Sequence, residues 1–171
     1  MQNQSKALTN VFIAEIKRRL FTENIPRLKK CLSELTVAQI WYRPNNASNS
    51  VGNLVLHLHG NVRQWVVAGL GKNKDVRARQ KEFDEKGPVP LEKMLSDMDK
   101  LMEEVNQILT KTSTEDLLEV RNVQGYQESG LSILVHITEH FSYHVGQITY
   151  IVKMLKNKDM GYYDGHDLEA K

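Results

Sequence analysis

The chain of 171 residues is long enough for one domain whose buried core needs neither disulfides nor a structural metal. Hydrophobic residues make up 40% of it and charged residues 26%, a composition that excludes a disordered chain. The net charge of +2 includes no long basic run, so the sequence does not predict nucleic-acid binding, which needs a concentrated basic surface.

Cysteine usage and hydropathy indicate a cytoplasmic protein. The single cysteine, Cys31, cannot form an internal disulfide, as is usual in the reducing cytosol. The first twenty residues lack the basic start and uninterrupted apolar core of a signal peptide. No apolar run approaches the roughly 20 residues that a membrane-spanning helix needs. We therefore expect a cytoplasmic protein without a membrane partner.

The first half of the chain predicts two long helices. Apolar residues at intervals of three to five predict a helix over residues 6–35, with a kink or break at Pro26 because proline removes a helical hydrogen bond. A short helical turn and a loop rich in Asn, Ser and Pro follow. Ser48 or Ser50 is expected to cap the second helix, over residues 51–70.

A charged stretch separates the second helix from the third. Residues 71–90 mix basic and acidic side chains and predict mainly a solvated loop. The segment RARQKEF within it could place Arg77, Arg79 or Glu82 at the mouth of a pocket. The surface-loop interpretation is favoured over the pocket interpretation.

The second half predicts two more long helices. A stripe of Met, Leu and Val marks residues 91–110, and helical periodicity is strongest over 131–156. Between them, TSTEDLLEV predicts a short capped turn and RNVQGYQESG a loop or small hairpin. Residues 158–171 predict a polar, loosely held tail. The sequence thus predicts an all-α fold, a single four-helix bundle domain over residues 1–157, with the second and third inter-helix connections long enough for a crossover.

Three of the six histidines lie within nine residues of the last helix. His136, His140 and His144 recur every fourth position and share nearly one helix face, with a drift of about 40° per step. His140 and His144 can therefore present two imidazole nitrogens to one metal ion, and a third donor must come from another element. The alternative is that these histidines pack in the bundle or at a dimer interface, satisfied by Gln, Ser and Tyr side chains.

The third donor is expected on the second helix. His57 and His59 are rotated by about 200° relative to each other, so only one can face the histidine pair. Both have apolar neighbours, and periodicity does not choose between them. His136 is either a fourth ligand or, as the drift favours, a residue that orients the others through a hydrogen bond. His166 is expected to be exposed and without a role.

Other metal and phosphate chemistries lack their motifs. The sequence contains no Glu-x-x-His of the helical di-iron type, no His-Glu-x-x-His and no glycine-rich phosphate loop. Ser142 and Cys31 stand outside any nucleophile motif.

Two segments resemble the DinB-like family of DNA-damage-inducible proteins, also called the DinB/YfiT superfamily. The family has a histidine in NLxxHxxGN on its second helix and a late HxxxHxGQ. These correspond here to NLVLHLHGN and HFSYHVGQ. The resemblance covers most of residues 6–157 and implies a four-helix bundle, often dimeric, that binds one divalent metal ion. By position it implies His57, His140 and His144 as ligands and leaves His59 out.

The resemblance also implies a function. Characterised relatives include thiol-dependent transferases and isomerases that use low-molecular-weight thiols. Three neutral imidazoles leave coordination positions open, so a bound water or thiol would become a nucleophile at neutral pH. We therefore expect a metal-dependent enzyme of the thiol-dependent transferase or hydrolase kind, acting on a small molecule as a homodimer. Zinc, nickel or iron would suit the ligands.

One alternative accompanies this expectation. The protein could be a non-catalytic metal-binding module of a stress response or of protein interaction, in which a fourth protein ligand closes the site. Asn61 and Gln147 are expected either on the pocket side of the helices or as amides that pack between them.

Overall fold

The computed structural model describes residues 2–170, so positions 1 and 171 of the predicted domain and tail lie outside the described residues. Four long helices, three short ones and a β-hairpin follow one another along this range. Helix α1 comprises Gln2–Lys17, the π-helical segment Arg18–Asn24 and Ile25–Ser33; α2 is Val37–Ile40; α3 comprises Val51–Val62 and the π-helical segment Arg63–Leu70; α4 is Arg79–Asp84; α5 is Leu91–Lys111; α6 is Thr114–Leu118; β1 is Val120–Val123; β2 is Tyr126–Ser129; and α7 is Gly130–Lys156.

The four long helices form a bundle in which each packs mainly against two others. Helices α1 and α3 both contact α5 and α7. Consequently α1 lies diagonally opposite α3, and α5 lies diagonally opposite α7. The connections from α1 to α3 and from α5 to α7 therefore cross the bundle, whereas α3 and α5 are neighbours. The predicted four-helix bundle is confirmed. Of the two connections predicted to be long enough for a crossover, the third crosses the bundle and the second does not, whereas the first also crosses.

Helix α1 continues past Pro26 because its hydrogen bonding changes just before that residue. The π-helical segment ends at Asn24, and the Ile25 N–H donates to the Leu20 carbonyl five residues earlier. Pro26 then occupies the first turn of the next α-helical segment, where no N–H is required. Of the predicted kink or break, the break into two helices is absent, and a local change of hydrogen bonding within one helix takes its place.

The start of α3 is fixed by Ser50 rather than Ser48. The Asn53 N–H donates to Ser50 Oγ at 3.1 Å, and the Ser50 N–H donates to Asn53 Oδ1 at 3.2 Å. This reciprocal capping box is buried, since Ser50 is 1% exposed and Asn53 is fully buried. The cap sets the rotation of the helix that carries His57 about two turns later.

The segment RNVQGYQESG, between α6 and α7, was predicted to form a loop or a small hairpin, and it forms the hairpin. Strands β1 and β2 pair antiparallel, with Val123 opposite Tyr126 at the turn. Val123 is buried and packs in the apolar core. The hairpin therefore covers the end of the bundle beside the first turns of α7.

The apolar stripes of the long helices meet in one continuous core. Its largest fully buried side chains are Phe141, Leu20, Leu28, Leu32, Ile40, Leu58, Met98, Leu101, Leu109, Ile133, Leu134 and Ile137. The expectation of a loosely held tail is wrong at Met160, which is 2% exposed within this core. The Tyr162 hydroxyl also lies 3.1 Å from Cys31 Sγ and 2.8 Å from Thr149 Oγ1. Within residues 2–170, every helix is too short or too polar to cross a lipid bilayer.

Candidate metal centre

The packing of α3 against α7 brings three histidines together. His57 points from α3 toward His140 and His144, which lie one turn apart on α7. The Nε2 atoms of His57 and His140 are 3.2 Å apart, and one ligand-capable nitrogen from each of the three rings lies within 4.8 Å of the other two. Among residues 2–170, these three form the one cluster of histidine, cysteine or acidic residues with this geometry. The structure thus assembles the set predicted from the resemblance.

Hydrogen bonds fix the ring tautomers of two of these histidines. The Nδ1 atom of His57 lies 2.9 Å from Glu82 Oε2, and that of His144 lies 2.7 Å from the amide oxygen of Gln147. Both oxygens act as acceptors, which places the proton on each Nδ1 and leaves a lone pair on each Nε2. The Arg77 Nη2 atom lies 3.1 Å from the same Nδ1 of His57, so Glu82 and Arg77 meet at this atom. Such partners are usual for histidines that bind a metal. Gln147 therefore contacts the histidine cluster, although it does not line the cavity beside His57 and His140.

Burial keeps the imidazoles of His140 and His144 neutral. It lowers the pKa of His140 to about 3, and the neighbouring His144 and His57 rings contribute in the same direction. Burial also lowers the pKa of His144, although its hydrogen bond with Gln147 opposes the shift. Neutral imidazole is the form that binds a metal ion, so no proton needs to leave His140 or His144 near pH 7.

A buried ion pair holds Glu82 against His57. Arg77 donates from Nε to Oε1 at 2.7 Å and from Nη2 to Oε2 at 2.8 Å, while its Nη1 donates to Gln64 at 2.8 Å. The side chains of Arg77 and Glu82 are 3% and 11% exposed. Burial opposes ionisation of Glu82, but the hydrogen bonds from Arg77 and His57 hold its pKa below the usual value.

The favoured prediction for residues 77–83, a solvated surface loop, is therefore wrong at Arg77 and Glu82, although residues 78–81 are exposed. The pocket alternative holds for Arg77 and Glu82, which lie at the histidine cluster, and for Arg79, which lines the adjacent cavity. A charged segment normally indicates an exposed surface. Here Arg77 and Glu82 are buried because their opposite charges compensate each other inside the fold.

A polar cavity of about 370 Å³ opens beside His57 and His140. Asn61, one turn after His57, lines it and is only 3% exposed. Its Oδ1 has no hydrogen-bond partner among the described residues. Trp65 and His136 stack in the cavity wall, with ring centroids 3.8 Å apart and planes inclined by 27°. Asn61 therefore lies on the pocket side of α3, as one of the two predictions had it.

The remaining histidines do not join the cluster. Within residues 2–170, the Nε2 atom of His136 is buried without a hydrogen-bond partner, so Glu82 and Gln147 make the orienting contacts that were expected of His136. His59 is half-buried and lies outside the three-histidine group, and burial lowers its pKa. His166 is exposed, as predicted.

The donor set fits a divalent transition metal. Two imidazole nitrogens on a tetrahedral zinc ion at about 2.0–2.1 Å would lie about 3.3 Å apart, close to the spacing between His57 and His140. Among residues 2–170, no fourth histidine, cysteine or acidic residue belongs to the cluster. Three protein ligands with an open position are typical of catalytic rather than structural zinc sites.

Comparison with known proteins places the fold. A family model described as "Protein of unknown function (DUF1572)" matches residues 8–163. A conserved protein from Enterococcus faecalis has a similar structure, with a TM-score of 0.70 over 88% of this chain and 98% of that one at 16% identity. A DinB-like protein from Bacillus cereus has a TM-score of 0.61 over 79% and 87% at 17% identity. No curated protein matches the chain. At these identities the structural likeness shows the DinB-like fold alone.

Proposed function

The chain belongs to the DUF1572 family and has a DinB-like fold, and on this premise we propose that it is an enzyme with one divalent metal ion bound by His57, His140 and His144. The observation that carries the proposal is the convergence of three histidine side chains beside a polar cavity. A closed structural site would need a fourth protein ligand, and none completes the cluster among residues 2–170.

The chemistry follows from the neutral ligands. A divalent metal held by three imidazoles keeps its full charge and would act as a Lewis acid that lowers the pKa of a bound water or thiol. The protein contributes the orientation of His57 through Glu82 and of His144 through Gln147. This arrangement supports the thiol-dependent transferase or hydrolase chemistry expected from the sequence, with zinc, nickel or iron as the metal.

The cavity lined by Asn61 is the proposed substrate site. Its volume of about 370 Å³ suits a small molecule. The Asn61 amide is buried, and the partnerless Oδ1 would cost free energy unless a ligand or water satisfied it. The stacked Trp65 and His136 rings offer a flat wall to a planar or apolar part of the substrate. A low-molecular-weight thiol is one candidate for the substrate or cosubstrate.

Metal analysis of protein purified without an affinity tag tests the site. We expect about one equivalent of metal in the wild type and a loss of most of it in His57→Ala, His140→Ala and His144→Ala. His59→Ala is the matched control, because it removes a half-buried histidine from the same helix outside the cluster. Retention of metal by the three ligand variants would refute the site. Thiols screened against electrophiles, with and without metal, then test catalysis.

Helix α7 also exposes an apolar surface that supports the proposed homodimer. Leu131, Val135, Tyr143, Tyr150 and Met154 lie on one side of the helix and are 44–71% exposed. Such a stripe on the outside of a bundle is typical of a contact between subunits. Light scattering after size-exclusion chromatography tests the proposal: the dimer mass supports it, and the monomer mass at micromolar concentration contradicts it.

A further inference from the structure

Helix α4 lies against the start of α3 and is held there by its backbone. Asn53 donates from Nδ2 to the carbonyls of Glu82 and Glu85, at 2.9 and 2.8 Å. Arg43 donates from Nη2 to the Phe83 carbonyl at 2.6 Å and to Asn53 Oδ1 at 2.7 Å. The buried amide that caps α3 thus also anchors α4, which fixes the position of Glu82 relative to His57.

The Glu82 carboxylate is fully engaged. Arg77 contacts both of its oxygens, and one of them also accepts from His57 Nδ1. Gly60, on α3 beside His57, makes room for this carboxylate, because a Cβ at position 60 would collide with it. A glycine inside a helix is unfavourable, so the close approach of Glu82 gives a physical reason for this one.

We propose that Glu82 is a positioning residue for the metal site, which keeps His57 in the Nδ1–H tautomer with Nε2 directed at the metal. The inference rests on the proposed three-histidine site. A carboxylate that accepts from a metal-bound histidine orients the ring and raises its basicity, and its loss typically weakens metal binding by about 10- to 100-fold. Arg77 and α4 support the same ring directly as well, since Arg77 Nη2 lies 3.1 Å from His57 Nδ1 and the centroid of the Phe83 ring lies 4.8 Å from that of His57.

Two variants disturb Glu82 in different ways. Glu82→Gln keeps the size of the side chain but removes the charge. Gly60→Ala keeps every charge, displaces the carboxylate from His57 and introduces a better helix former. Asp84→Asn is the matched control, because it neutralises an exposed carboxylate on the same short helix.

Zinc competition with a chromophoric chelator measures the effect. We expect Glu82→Gln and Gly60→Ala each to weaken zinc binding about 10- to 100-fold, and Asp84→Asn to stay within about twofold of the wild type. If both test variants bind zinc within about twofold of the wild type, the proposal is wrong. A lower melting temperature with unchanged zinc affinity would show that Glu82 has a structural role only.

The tautomer of His57 gives a second readout that needs no metal. In ¹⁵N–¹H correlation spectra of the metal-free protein, we expect the Nδ1–H form of His57 in the wild type and in Asp84→Asn. A shift toward the Nε2–H form in Glu82→Gln or Gly60→Ala supports the proposal, and an unchanged tautomer in both contradicts it. If the wild type bound no zinc, the proposed function would fail, while the tautomer would still report on Glu82.

Discussion

Replacing Arg77 by methionine removes the cation of a buried ion pair and leaves the Glu82 carboxylate without it. The two side chains are 3% and 11% exposed and share two hydrogen bonds of 2.7 and 2.8 Å. Deleting one partner of such a pair costs about 3–5 kcal/mol, whereas an exposed pair contributes about 1 kcal/mol or less. Because Glu82 keeps some exposure, we expect Arg77→Met to lower the free energy of unfolding by about 3 kcal/mol at pH 7.

Urea unfolding of the metal-free protein, followed by circular dichroism, measures this loss. The double variant Arg77→Met with Glu82→Gln should be more stable than the sum of the single losses predicts, because no buried charge is left unpaired. A loss below about 1 kcal/mol in Arg77→Met, or additive losses in the double variant, would show that the pair behaves as a surface pair.

The direction of the Glu82 pKa shift determines how the stability loss in Arg77→Met depends on pH. In the wild type, Arg77 and His57 lower the pKa of Glu82 below its unfolded value, against burial. The pair therefore stabilises the fold fully above the unfolded pKa, and this stabilisation is lost as the pH falls through the lowered folded value. Without Arg77, burial favours the protonated carboxyl. The difference between Arg77→Met and the wild type should thus shrink below about pH 4.5.

Three further changes test the fold around the site. The pKa of His140 is lowered to about 3, mainly by burial, so the unfolded chain takes up its proton first as the pH falls. The metal-free protein should therefore lose about 1 kcal/mol through this residue between pH 7 and 5.5, and a flat urea midpoint over that range would count against the neutral buried imidazole. Phe141→Ala, at a fully buried position, should cost about 3–5 kcal/mol in thermal or urea unfolding, and a smaller loss would mean that the core collapses around the gap. Tyr162→Phe removes the hydroxyl near Cys31 and Thr149 and should cost about 1 kcal/mol, whereas an unchanged stability would show that the tail contributes nothing through these contacts.

Long helices with strong periodicity were predictable from the sequence. Helix α5 extends one residue beyond the predicted end, and α7 begins one residue before the predicted start. Their apolar stripes repeat over many turns, so a single residue that departs from the pattern does not change the prediction. The continuity of α1 through Pro26 was not predictable in the same way, because it depends on a π-helical segment that ends just before the proline. That segment depends on the chain around it rather than on proline alone.

The candidate site was predictable only in part. The spacing of His140 and His144 places both rings on one side of α7, and this follows from helix geometry. The choice between His57 and His59 was open from periodicity, since both have apolar neighbours, and the resemblance alone favoured His57. The structure brings His57 to the pair because α3 packs against α7 on that side.

The sequence by itself determined which side of each helix is apolar, because that depends only on residue order and the period of the helix. Tertiary structure alone decided that Glu82, from a charged stretch, lies buried between Arg77 and His57. A charged side chain is buried without a large free-energy cost only where an opposite charge and hydrogen bonds compensate it. Arg77 and Glu82 compensate each other beside His57, which lies on α3 in another part of the chain. Such compensation arises from contacts between elements, and no local pattern encodes it.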